Sequence, residues 1–369
     1  MAAESGDIDA ESRSELDRNH LYAQIATGGL IAATVIGIFL WLEFASTDLT
    51  AQLRALRPHL NAKISPLRRL AKSESAKSPR EADAGPSRKS RIPRSASTET
   101  AVLHPHPDLK LIETTDTGPL PVIGEGGRQP WRVYSRPFNV LEKRPRVAVI
   151  VTGLGVSFAA TQTAVEQLPG AVTFAFAPFA DKLKEWIDAA LGAGHEVLLD
   201  LPMEPKGFPR NDPGPFGLLT SLQPDQNQRR FDWVLSRMTG YIGVTNYHGD
   251  RFSGNKTAMQ PVLAELKRRG LMFIDSMEYA ISTGPTIAKA LKLPVVQVNR
   301  IIDPVASRTA IASQLAEIAK ITKVQGVAVI MARPYPVTIR ALKRWIPKLA
   351  DMGLVLAPVS AVANRQKSK

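Results

Sequence analysis

The sequence predicts an α/β protein: a distorted (β/α) barrel of seven to eight parallel strands, preceded by one transmembrane helix and a disordered linker. Three observations predict it. From Arg146 onward, short apolar runs alternate with stretches of helical period. No charge interrupts Leu21 to Leu42. Residues 73–100 are dominated by Ser, Lys, Arg, Ala and Pro.

The alternation fixes the class. The apolar runs are VAVIVT (147–152), AVTFAFA (171–177), EVLLDL (196–201), YIGVTN (241–246), LMFID (271–275), VVQVN (295–299), VAVIM (327–331) and LVLAP (354–358). Between them lie helical patterns such as FAATQTAVEQL (158–168), NKTAMQPVLAELKRRG (255–270) and VTIRALKRWIPKLADMG (337–353). Gly194, Gly270 and Gly353 follow helical patterns, where a left-handed residue ends a helix well. Strands that read as continuous apolar runs are buried on both faces, so the pattern means a parallel sheet covered by helices. An open doubly wound sheet is the alternative to a barrel. No GxGxxG or P-loop follows any strand, which leaves the nucleotide-binding versions of that sheet little support.

Ahead of this domain, an acidic tail (1–20) leads into LYAQIATGGLIAATVIGIFLWL. That run matches the ~20 helical residues that cross a bilayer's hydrocarbon layer, and Tyr22 and Trp41 sit near its ends, where amphipathic rings favour the interface. The expectation is an uncleaved anchor over 21–43. Its orientation is not set by charge: Arg13 and Arg18 flank one side, Arg54 and Arg57 the other, and counting more distant residues tilts the balance toward a cytoplasmic C-terminus.

The formal charge of the 369 residues is +13, and much of it is local. Twelve basic residues against four acidic ones fall between 50 and 100. A basic, apolar-poor stretch reads as a solvated spacer over 44–100, so nucleic acid is not expected as a partner. Residues 101–145 carry short apolar pieces between Gly and Pro and are expected to lie as an extended arm on the barrel at 146–363, with 364–369 a tail. The chain has no cysteine, which excludes disulfides, thiolate metal sites and cysteine nucleophiles.

In a parallel βα domain, functional residues collect where strands end and loops begin. Those positions carry GHEVLLDLPMEP (194–205), GPFGLLTSL (214–222), VTNYHGDRFS (244–253), FIDS (273–276) and RPYP (333–336), in that order and spacing. The set resembles the divergent polysaccharide deacetylase family over residues 146–363. The resemblance implies a distorted βα barrel, a carbohydrate deacetylase ancestry, and a domain in the periplasm of Gram-negative bacteria beyond an inner-membrane anchor. It also implies a bound divalent metal that polarises the acetyl carbonyl and lowers the pKa of an attacking water.

The residues at the matching positions depart from that chemistry. Where the family has Asp-Asp at the end of its first strand, this chain has Thr152 and Gly153. Where the family has histidines, this chain has Asp200, Tyr247 and Arg333, and an arginine cannot bind a metal. No metal ligand set is therefore expected and no cofactor. A substitute catalytic site built from Asp200, His248, Asp250 and Asp275, with zinc, is the alternative. Strand alternation argues against it, because His248 should point away from wherever Tyr247 points. His195 is expected to hold the turn before its strand.

Substrate contact falls to Asp200, Glu204, Asn246, Tyr247, Arg251, Asp275, Arg333 and Tyr335, with Tyr247 and Tyr335 placed to stack on a glycan ring. The structural reading of the same residues is that Asp275 and Asp303 cap helices or loop amides, and that Asp200 pairs with Arg333. Three functions stay open: a non-catalytic binder of a cell-envelope glycan, an active metal-dependent deacetylase with substitute ligands, or a module that docks a periplasmic protein.

Overall fold

Residues 102–277 and 282–366 are described by the structure, a computed structural model of the chain. The acidic tail, the anchor expected over 21–43 and the linker over 44–100 lie outside the described residues. Among the described residues, no helix is long and apolar enough to cross a membrane.

The arm forms an antiparallel hairpin, β1 (Ile112–Thr115) with β2 (Gly118–Pro121), and a single helical turn, α1 (Pro130–Val133). The chain then runs β3 (Arg146–Leu154), α2 (Phe158–Gln167), β4 (Thr173–Phe176), α3 (Leu183–Gly192), β5 (Val197–Met203) and α4 (Pro224–Ser236). It continues through β6 (Gly243–His248), α5 (Asp250–Ser253), α6 (Lys256–Arg268), β7 (Met272–Asp275), α7 (Gly284–Leu291), β8 (Val295–Gln297) and β9 (Arg300–Ile301). The last elements are α8 (Arg308–Gln325), β10 (Val327–Ala332), α9 (Pro336–Trp345) and β11 (Val355–Leu356).

Every pairing from β3 onward is parallel, in the order β8-β7-β6-β5-β4-β3-β10-β9, with β11 beside the start of β3. Only Val298 and Asn299 separate β8, which pairs with β7, from β9, which pairs with β10. One stretch of chain therefore serves both ends of the strand order, and the sheet curls into a barrel-like form instead of spreading flat.

Alternation along the strands builds two cores. Val147, Val149 and Val151 of β3 pack outward with helix residues such as Ile187, Leu263 and Ile339. Ala148 and Ile150 pack inward with Leu198, Ile274 and Val329. Local signals agree with the elements: Ser157, Asn255 and Ser307 cap α2, α6 and α8 by accepting from Ala160, Ala258 and Ala310 amides. The three glycines expected to stop helices do take the left-handed conformation, with φ 86° at Gly194, 67° at Gly270 and 72° at Gly353.

The arm covers the N-terminal end of the strands. Its Trp131 amide donates to the Gly270 carbonyl just before β7, and the Arg136 guanidinium donates to the Gly194 carbonyl just before β5, at 3.1 and 2.8 Å. Leu111 and Tyr134 of the arm fill the inner core. Gly270 is tight as well as left-handed: a Cβ there would stand 2.8 Å from Ile123 and 3.0 Å from Pro130. In the turn before β5, the buried His195 donates from Nδ1 to the Val172 carbonyl at 2.8 Å and stacks on Phe174 with centroids 3.8 Å apart. It holds backbone, and burial pushes its pKa down to about 4. With one end covered, the C-terminal strand ends remain as the open face.

Candidate functional site

Asp200 sits at the centre of that face. Leu198 belongs to the inner core and Leu199 and Leu201 to the outer one, so alternation turns Asp200 inward. It is 1% exposed. One carboxylate oxygen accepts from the Thr152 hydroxyl at 2.6 Å and the other from the Gly153 amide at 2.8 Å. Both donors come from β3, where its register with β4 shifts between Val151 and Leu154 and Gly153 takes φ 76°. A bulge re-aims the groups it contains, and here it brings a hydroxyl and an amide to one carboxylate. Burial pushes Asp200 up to about 6, against the pull of those two donors.

Above Asp200 opens a cavity of about 580 Å³. Tyr247, Arg333 and Tyr335 line it together with Val156, Ala160 and Phe179. The rim is apolar and reaches solvent: Val156 is 67% exposed, Phe179 51% and Tyr335 38%. Asp200, Tyr247, Arg333 and Tyr335 are thus four of the sequence-expected residues that the fold brings together.

The others are engaged elsewhere. Glu204, buried, takes the Thr220 amide and hydroxyl at 2.6 Å each on one oxygen and Arg251 at 3.2 Å on the other. Asp250 accepts the Lys206 amide at 2.8 Å. Asn246 accepts from the Ser276 amide at 2.8 Å and donates to the His248 carbonyl, tying β6 to the end of β7. Asp275 accepts the Met277 amide and the Ser282 hydroxyl at 2.9 and 2.5 Å, and burial raises its pKa. Its loop-capping geometry is the structural reading made from sequence.

Two expectations are corrected by geometry. The Tyr247 and His248 rings do not face apart: their centroids lie 4.4 Å from each other. β6 pairs with β5 through His248, two residues beyond the apolar run, but His248 takes φ 57° and Gly249 φ 90°, so the extended alternation breaks at His248 itself. Asp200 is taken up by Thr152 and Gly153, while Arg333 supports Asp303: its amide donates to that carboxylate at 2.9 Å and its charge favours the ionised form. Thr338 adds a bond at 2.8 Å, and burial still holds the Asp303 pKa above the usual carboxylate range.

The metal implied by the resemblance does not fit these residues. A hydroxyl, a glycine, one hydrogen-bonded carboxylate, a phenol and a guanidinium are not a zinc ligand set. Among the described residues, no group of three or more His, Asp or Glu stands where it could hold a metal ion. Sequence reasoning missed the apolar wall of Val156, Ala160 and Phe179. Its signal was available, since Val156 and Phe179 are large apolar residues just beyond the ends of β3 and β4.

The model of the divergent polysaccharide deacetylase family matches residues 149–363, more than half of the chain. This chain belongs to that family. Among solved structures, an uncharacterized protein from Agrobacterium tumefaciens C58 is similar at 34% identity and a TM-score of 0.65, over 66% of this chain and 99% of that one. The uncharacterized protein YibQ of Escherichia coli K12 is 24% identical over 216 residues, 58% of this chain and 66% of its own length. An uncharacterized protein of Haemophilus influenzae is 20% identical over 206 residues, 56% of this chain and 72% of that protein. The match spans just under two thirds of YibQ, so it bears on the barrel domain. In this family member, the end of the first sheet strand carries Thr152 and Gly153, the pair that binds Asp200 beneath the strand-end cleft.

Proposed function

We propose that this chain is a membrane-tethered, non-hydrolytic member of the divergent polysaccharide deacetylase family that binds a cell-envelope glycan in its strand-end cleft. The observation that carries the reading is the Thr152–Gly153–Asp200 cluster, in which both carboxylate oxygens are engaged by protein donors. No free base stands there to activate water; of the ligand positions, Arg333 repels a cation and the Asp200 carboxylate is already held by two protein donors. A cavity of about 580 Å³ is the size of a small-ligand site. Its tyrosines and apolar wall suit the C–H face of a pyranose ring, with Arg333 at the edge for polar contact.

Purified protein should hold no zinc after dialysis and should release no acetate from N-acetylglucosamine oligomers. The same oligomers should bind, and Tyr247→Ala should weaken them about tenfold, the value of one stacked ring. Stoichiometric zinc that is lost in His248→Ala or Asp250→Asn would establish the substitute-ligand deacetylase instead. Failure of every glycan to bind would leave the protein-docking reading.

The tether rests on the charge-free run from Leu21 to Leu42, and the periplasmic side on the family resemblance. A reporter active only in the cytoplasm, fused after Asn364, should give no signal; strong activity would place the barrel on the other side.

A further inference from the structure

A second cavity, of about 430 Å³, lies at the opposite end of the barrel from the cleft, between the arm and the C-terminal segment 360–365. Four arginines line it: Arg132, Arg136, Arg146 and Arg365. None of its lining residues is acidic.

Arg146, the first residue of β3, forms the floor and is 5% exposed. Its guanidinium donates to the carbonyls of Ala361 at 2.8 Å and Glu142 at 3.3 Å and lies 4.6 Å from the Phe138 ring centroid. Those partners are uncharged. The nearby carboxylates are committed elsewhere: Glu142 grips Arg144 through both oxygens, and Glu196 accepts from Thr173, Ser360 and the Arg136 amide. Arg365 adds like charge. Burial first, and the Arg365 charge second, depress the Arg146 pKa, with Glu142 opposing in part. At the rim, Arg132 lies over Trp131 with its charge facing solvent, 4.7 Å from the ring centroid.

A buried cation satisfied by carbonyls and a ring, with a second cation beside it, lacks the anion that would neutralise both. We infer that this basin is a binding site for a phosphate monoester, with Arg146 on the floor and Arg132 and Arg365 closing from the rim. Guanidinium forks bind paired oxygens, and a tetrahedral dianion presents such pairs to several forks at once. A monocarboxylate offers one pair and one charge. The site is independent of the glycan cleft, from which the whole inner core separates it.

The test is inorganic phosphate titrated into the full chain in phosphatidylcholine nanodiscs, followed by thermal unfolding. The melting temperature should rise saturably. Arg365→Ala, at an exposed position, should fold normally and weaken the midpoint about tenfold or more, and Arg132→Ala should act in the same direction. Arg365→Lys should restore part of the affinity. Nanodiscs doped with phosphatidic acid identify the source. A lipid headgroup raises the melting temperature before phosphate is added, dependent on Arg365, whereas a soluble ester leaves it unchanged until phosphate is present. The proposal is overturned if phosphate gives no saturable shift, or if the parent and the Arg132→Ala/Arg365→Ala double variant respond alike, as general salt stabilisation would require.

Discussion

The Asp200→Asn variant should match the parent protein in stability at about pH 4 and exceed it by about 3 kcal/mol at pH 8. Asp200 is raised from 3.8 to about 6 by burial. Below 3.8, folded and unfolded chains both carry the proton, and the carboxyl costs nothing. Between there and about 6 the unfolded chain releases its proton while the folded one keeps it, so stability falls as pH rises. Asn does not titrate. Its oxygen accepts from the Gly153 amide, and its amide group donates to the Thr152 hydroxyl, which rotates to accept. Denaturant unfolding of both proteins across this range measures the gap. Glu196, Asp275 and Asp303 are also pushed up by burial and slope the same way, but they are common to both proteins and cancel. A gap that does not change with pH would mean that Asp200 is not carried as a buried charge at neutral pH.

His195 should give the opposite slope. Burial lowers it from 6.5 to about 4, so between those values it is neutral in the fold while an unfolded histidine is protonated. Its contribution is intact above 6.5 and is lost, up to about 3 kcal/mol, as pH falls through that window. His195→Asn keeps a donor for the Val172 carbonyl but gives up the ring stacked on Phe174. The variant should be weaker by about 1–3 kcal/mol at pH 8 and should close that deficit toward pH 4. Unfolding midpoints at the two ends of the range decide it. A deficit that widens in acid would show that the ring is charged inside the fold.

Much of the barrel was legible because its signals are local. Apolar runs predicted the strands β3 to β7, β10 and β11 to within a few residues, and Gly194, Gly270 and Gly353 marked helix ends through their left-handed φ. The run VVQVN proved to be less simple than its composition, since it ends β8 and hands the chain to β9 on the other side of the strand order. That handover depends on which strands lie beside it, and no window of sequence contains the information.

The candidate site divides along the same line. By residue type alone, Gly153 and Arg333 cannot be zinc ligands, and Thr152 and Tyr247 are not the carboxylate and imidazole that the resemblance implies, so the departure from that chemistry was decided by the sequence. What replaced it was not. Whether Asp200 would meet Arg333 or Thr152 depends on a register shift in β3 that aims a hydroxyl and an amide across β4. Whether His248 would face away from Tyr247 depends on where β6 stops being a strand. The basin around Arg146 joins residues more than two hundred positions apart, such as Arg146 and Ala361. Sequence fixes what each side chain can do, because donors, charges and rings belong to residues. Which groups meet depends on backbone geometry and on the packing of distant segments, and only the tertiary fold brings a buried carboxylate to two donors or a buried arginine to a second cation.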